Sequence, residues 1–135
     1  MIDNTALQDY EVNETPYISL KTGTRSDAVK LYNLLNTTAD KRIMDVIGST
    51  LEVKDVIIQR GSRTDTKTGE MIVYPRITLI DKDGITYSTN SIGIYHGLQR
   101  AIAMFGEPTW DEPVKFEVAM QTTRSGYKVA CLKAI

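Results

Sequence analysis

Arg60, Arg63 and Lys67 crowd one short stretch of the chain, and Arg124, Tyr127 and Lys128 crowd another near its end. Between them, the strand-forming run from Met71 to Thr89 supplies Tyr74, Arg76 and Tyr87. Cations interleaved with rings suit a flexible polyanion with flat faces. Guanidinium and ammonium groups follow phosphates, while a ring stacks on an unpaired base for roughly 1–3 kcal/mol by alanine substitution. Every base has a π-face, so such a surface tolerates any order of bases. Each residue also has an ordinary role: basic hairpin tips are solvated, edge-strand cations deter aggregation, and tyrosine follows β-propensity. Only convergence on one surface would favour binding.

Catalysis finds little support. His96 is the only histidine and falls on the polar side of a helical pattern, near Gln99 and Arg100, with no cysteine or histidine at metal-ligand spacing. Asp81 and Asp83 in "DKDG" resemble the start of a calcium loop, but the rest of that loop's ligands are missing, so they read as turn formers. "GSRTDTKTGE" holds glycine, lysine and threonine without the order of a phosphate loop. No nucleophile elbow and no Cys/His pair occur. These residues describe a non-enzyme without metal or cofactor.

With 135 residues the chain suffices for one compact domain with a hydrophobic core. A net charge of −1 gives no global basic field, yet the charge is unevenly spread. Residues 1–40 hold three basic residues (Lys21, Arg25, Lys30) against six acidic ones, a balance of −3 that the later residues offset with +2. Cys131 stands alone in an apolar strand pattern, where it acts as a small hydrophobe. The opening "MIDNTALQDYEV" lacks the basic and apolar regions of a signal peptide, and no apolar stretch approaches a membrane span. The chain therefore reads as soluble and intracellular.

Three segments organise it. Residues 1–15 are polar, acidic and aperiodic, the character of a flexible arm. Residues 16–48 form an extension: an edge strand at Pro16–Lys21, a helix capped by Ser26 with Ala28, Leu31, Tyr32 and Leu35 on one face, and a helical turn through Ile43 and Val46 ending at Gly48. Residues 49–135 form the main unit. "LEVKDVIIQRG" puts Leu51 and Val53 on one parity and Val56 and Ile58 on the other, which demands a bulge or bend near Lys54–Asp55. "SRTDTKTG" reads as a hairpin tip and "EMIVYPRITLI" as the returning strand, with Pro75 marking an unpaired or edge position. A turn at Gly84 leads to "ITYST". Ser91 then starts a helix that ends at Gly106, with Ile94, Tyr95, Leu98, Ala101, Ile102 and Phe105 along its buried stripe. Val114, Phe116, Val118 and Met120 alternate inward on the next strand, and Tyr127–Leu132 forms the last.

This order predicts a mainly β (α+β) fold: a five-stranded OB-like antiparallel barrel with a helix between strands 3 and 4 and an N-terminal helical extension. A split sheet with one packed helix shares much of the pattern. In OB barrels the second and third strands form the binding face, rimmed by the loops between strands one and two and between strands four and five. Here those loops are Gly61–Gly69 and Thr122–Gly126, and their two tips are expected to form the jaws of one groove. Arg60, Arg63, Lys67, Arg76, Arg124 and Lys128 would contact phosphate, while Tyr74, Tyr87 and Tyr127 would stack. For Trp110 we expect packing at the barrel end, with stacking on a base as the alternative. A rival from another class is a protein-interaction module that engages a host protein through a sheet edge or the helix face, with the acidic arm and the Pro16–Lys21 strand as its feature.

"IGSTLEVKDVII", "TGEMIVYPRITLIDKDGITYSTNSIGIYHGLQRAIAMFGEPTW" and the closing hairpin make the chain resemble, from about Asp27 to Ile135, a family of single-stranded DNA-binding proteins encoded by bacteriophages of Gram-positive hosts. "TGE", "R-x-x-LID-x-DG" and "FGEPTW" carry the likeness most clearly. The resemblance implies an OB-like fold that coats and protects single-stranded DNA during phage replication, in the cytoplasm of the infected bacterium, without metal or cofactor. Phage or host replication proteins are further candidate partners. The near-neutral charge does not contradict this: fewer phosphate contacts would mean a shallower salt dependence, not absence of binding.

Overall fold

The computed structural model describes residues 10–11, 15–20 and 23–135. Within them the chain is mainly β, a seven-stranded sheet curled into a half-barrel, with two helices. The elements follow as β1 (Tyr17–Ile18), α1 (Arg25–Asn36), β2 (Lys41–Arg42), a 3₁₀ turn (Ile43–Val46), β3 (Thr50–Thr64), β4 (Met71–Asp81), β5 (Thr86–Thr89), α2 (Ile92–Phe105), β6 (Val114–Thr122) and β7 (Lys128–Ala134).

β3 organises the sheet. Val53 pairs with Asp81 and Asp55 with Ile80, so Lys54 is the extra residue of a β-bulge, at the position the parity change requires. Before the bulge, Thr50–Val53 pair with β6; beyond it, β1 takes over that edge at Ile57 and Ile58 while β4 holds the other. The strand order β2-β5-β4-β3-β6-β7 follows, with β1 off the path. Asp55 fixes the bulge from the side: its Oδ1 accepts from the Ser19 hydroxyl at 2.9 Å and from the Thr109 hydroxyl. Trp110 N–H donates to the Lys54 carbonyl at 2.9 Å.

The concave face holds the core. Val56, Ile58, Ile77 and Leu79 meet Ile94, Leu98 and Ile102 of α2, all enclosed. Ser91 caps α2, its hydroxyl accepting from Ile94 N–H at 3.2 Å, and Gly106 ends it with φ of 94°. Two residues of the expected inward set differ. Phe105 falls on the last turn of α2 and Met120 lies beyond the residues of β6 that face α2, so both are exposed.

The extension is corrected in detail. Thr24 rather than Ser26 caps α1: its hydroxyl accepts from Asp27 N–H at 3.1 Å, and the helix starts one residue before Ser26. No residue of α1 is buried, so its apolar spacing does not lead to a packed face. Tyr17 and Ile18 pair with β3. Of the acidic arm, Tyr10 is buried against Tyr95, and Glu11 accepts from the Tyr95 hydroxyl at 2.8 Å and from Gln99. Residues 10–11 are thus docked; residues 1–9, 12–14 and 21–22 lie outside the described residues.

Candidate nucleic-acid interface

The outer face of the sheet follows from register. Val56–Leu79 and Ile58–Ile77 are cross-strand pairs on the core side, so the intervening pairs Ile57–Thr78, Gln59–Arg76 and Gly61–Tyr74 point outward. Neighbouring strands extend these rows. Ser88 pairs with Thr78 and Arg42 with Ser88, while Asn90, one residue past the Thr89–Ile77 pair, comes into line with Arg76. This face therefore carries a lattice of side chains: a ring, then an amide, a guanidinium and an amide, then the covered Ile57 followed by hydroxyls ending in Arg42. Strands lie about 4.8 Å apart and successive outward residues about 7 Å apart along each strand.

Gly61 explains how Tyr74 and Arg76 lie. A β-carbon built there would stand 2.5 Å from Cε2 of Tyr74 and 2.7 Å from Cγ and Cδ of Arg76. Both side chains thus cross the bare backbone of β3, and any larger residue would lift them. Pro75 sits between them where β5 no longer pairs with β4, the open-edge position its missing donor suggests. Tyr74 and Arg76 consequently share one strand segment, open on the β5 side and closed below by β3.

A wall completes an open groove of about 720 Å³. The end of α1 and the following turn, from Leu34 to Ala39, form this wall. A clasp anchors it: Thr86 donates from its N–H (3.0 Å) and hydroxyl (3.2 Å) to Oδ2 of Asp40, whose own N–H donates to the Thr86 hydroxyl at 2.9 Å. Among the described residues no carboxylate lines the groove, although the chain carries 17. Arg42 at its edge is engaged by Asp45, with Nε–Oδ2 3.0 Å and Nη2–Oδ1 3.2 Å. Among the described residues Arg76 has no such partner. The groove therefore presents one uncommitted cation beside one ring.

The remaining expected residues divide. Arg63 and Lys67 are exposed at the β3–β4 hairpin, which turns more tightly than the expected Gly61–Gly69 loop: β3 runs on to Thr64, and Asp65 N–H donates to the Glu70 carbonyl at 2.8 Å. Arg60 is not on this face. It follows Val56 and Ile58 in parity, and its guanidinium lies 5.7 Å from the Tyr10 ring centre while Nη2 donates to the Tyr10 carbonyl at 3.5 Å. Tyr87 stands opposite Leu79, hence on the core side; at 6% exposure it offers no free ring face. Its hydroxyl donates to Asp81 at 3.4 Å, and burial, helped by Asp81, raises its pKa. Trp110 is packing: its ring lies 6.5 Å from Phe116 and its Nε1–H donates to the Gly106 carbonyl at 2.9 Å.

Arg124, Tyr127 and Lys128 do not line the groove. β6 runs antiparallel to β3, with Glu117 opposite Thr50, so the β6–β7 turn lies past the first residue of β3 while the β3–β4 turn lies past its last. The two tips are at opposite ends of β3 rather than side by side, which replaces the expected pair of adjoining jaws by a groove and a separate patch. In that patch Tyr127 is 72% exposed. Gln59, Thr78, Ser88 and Asn90 were absent from the sequence-derived set, and alternation outward from Tyr74 and Arg76 would have found Thr78. The wall from α1 leaves no such signal.

Residues 11–134 match the family described as Phage Single-stranded DNA-binding protein. No curated protein and no solved structure matches the chain. No described helix is long and apolar enough to cross a membrane. A match over nearly the whole chain, together with a curled β half-barrel that exposes a ring and a cation in an acid-free groove, places this protein in the phage single-stranded DNA-binding protein family.

Proposed function

We propose that this protein binds single-stranded DNA without regard to base order and covers it during phage DNA replication inside the infected cell. The outer face of β4 and β5, beside Gln59 of β3, is the principal contact. Tyr74 stacks on a base and Arg76 neutralises a neighbouring phosphate, while Arg63 and Lys67 continue the cationic track along the hairpin. Arg124, Tyr127 and Lys128 form a second contact at the far end of β3, reached by longer strands. Reading the strands from Thr50 onward as the five strands of an OB-like barrel, with α2 between the third and fourth, supports this choice, because β4 and β5 are then the second and third strands that such barrels use. Sequence independence follows from stacking and phosphate contact, neither of which depends on base identity.

One observation carries this reading: Tyr74 and Arg76 lie together over Gly61 in a groove free of carboxylates. The test is anisotropy of labelled oligo-dT with the Tyr74→Ala/Arg76→Ala variant. Affinity should fall at least about tenfold, since stacking alone contributes roughly 1–3 kcal/mol. Unchanged affinity in a folded double variant would remove the groove from the DNA-binding surface.

A further inference from the structure

The outward lattice contains more than a ring and a cation. Gln59 stands across from Arg76 on one side and Asn90 is in line on the other, and both line the groove. Neither carboxamide has a hydrogen-bond partner among the described residues, although Gln59 is half-buried. Both amides reach solvent, so water completes their hydrogen bonds in the free protein and they are available to a ligand that displaces it. Gln59 lies two residues along β3 from Gly61, over which the Tyr74 ring rests, about 7 Å by strand geometry, which a glutamine side chain can bridge. Asn90 flanks the same row from the β5 side, within reach of a base that extends beyond the ring.

Resting on the assignment of Tyr74 as a stacking ring, we propose that Gln59 and Asn90 hydrogen-bond the edge of the nucleobase that stacks on Tyr74. The ligand of this subsite is an unpaired base rather than a phosphate or a sugar. A carboxamide fits the task because it carries a donor and an acceptor side by side. Every natural base presents both kinds of group along its edges. Rotation of the amide exchanges donor and acceptor, so the pair can meet any base. The subsite therefore recognises that a base is present and extruded, not which base it is. This accounts for amides rather than lysines in the row beside the ring: phosphates need only positive charge.

The experiment separates stacking from edge contact within the DNA. Native protein is titrated with oligo-dT and with an oligonucleotide of equal length in which difluorotoluene replaces thymine. The analogue keeps the shape and stacking of thymine but forms negligible hydrogen bonds. Native protein should prefer oligo-dT by about fivefold or more, the effect of one or two hydrogen bonds. Gln59→Met/Asn90→Leu should abolish the preference by weakening oligo-dT alone. Equal binding of the two oligonucleotides by native protein overturns the proposal without involving any variant. Equal weakening of both by the double variant overturns it as well. Failure of the stacking assignment has a different signature: Tyr74→Ala would leave oligo-dT binding intact.

Discussion

Gly61 stands directly across from Tyr74, and a single methyl group on Gly61 would meet the tyrosine ring at 2.5 Å. The glycine has no positive φ to explain it, so its role is the space it leaves. Gly61→Ala should therefore displace the Tyr74 ring and the Arg76 stem while leaving the fold intact, because the atoms met belong to side chains and not to backbone. Oligo-dT affinity should fall about fivefold, within the range of a stacking contact, with stability lowered by about 1–3 kcal/mol, the usual cost of a methyl group in a filled site. Anisotropy and a urea melt on the same sample decide it. Full affinity would mean that the ring's position over β3 is irrelevant to binding.

Trp110 supplies a control on where DNA goes. It is enclosed beside Phe116, with its indole Nε1–H donating to the Gly106 carbonyl. Its emission should stay constant while oligo-dT saturates the protein, and shift only on unfolding. Trp110→Ala should cost about 3–5 kcal/mol, as for other large core truncations. Quenching of Trp110 by DNA at saturation would place the strand at the barrel end instead.

Several of these placements could be read from residues, and others could not. The bulge at Lys54 was legible because Leu51 and Val53 disagree in parity with Val56 and Ile58, and α2 was legible from its caps and stripe. The bulge also decides Arg60, whose parity is that of Val56 and Ile58; clustering with Arg63 obscured that signal. Tyr87 was harder, since a four-residue strand such as β5 has too little alternation to show a face. The groove wall was beyond local pattern altogether. α1 buries nothing, and the Asp40–Thr86 clasp that fixes its end joins residues 46 positions apart.

Alkaline pH should destabilise the protein. Burial is the largest cause raising the pKa of Tyr17 and Tyr95, and hydrogen bonds to the carboxylates of Glu107 and Glu11 add to it. The folded state thus favours the protonated phenols, whereas the unfolded chain loses these protons near the ordinary value of 10.0. Stability from these groups is fully present below that pH and is lost as pH rises above it. Urea midpoints should be flat from about pH 7 to about pH 9 and decline beyond about pH 10. Tyr17→Phe should lower stability at neutral pH by removing the hydrogen bond to Glu107, and make the alkaline decline shallower. A decline as steep as that of the native protein would exclude Tyr17 as its source.

The separation of the two hairpin tips makes binding depend on strand length. Because the β6–β7 turn and the β3–β4 turn lie past opposite ends of β3, a short oligonucleotide held by the groove cannot engage both. Arg124→Ala/Lys128→Ala should leave the affinity for an oligo-dT of about six nucleotides unchanged, near the low end of OB-fold site sizes. Poly-dT should bind more weakly, and the slope of log K against log salt should become less negative by about 0.7 for each phosphate no longer neutralised, or about 1.4 for the pair. Tyr127→Ala, with its ring exposed in the same patch, should likewise weaken only the long strand. Equal weakening on both lengths would require the two tips to act on one stretch of DNA, which the antiparallel register of β6 on β3 opposes. Slopes measured on both lengths therefore test the second contact independently of the groove.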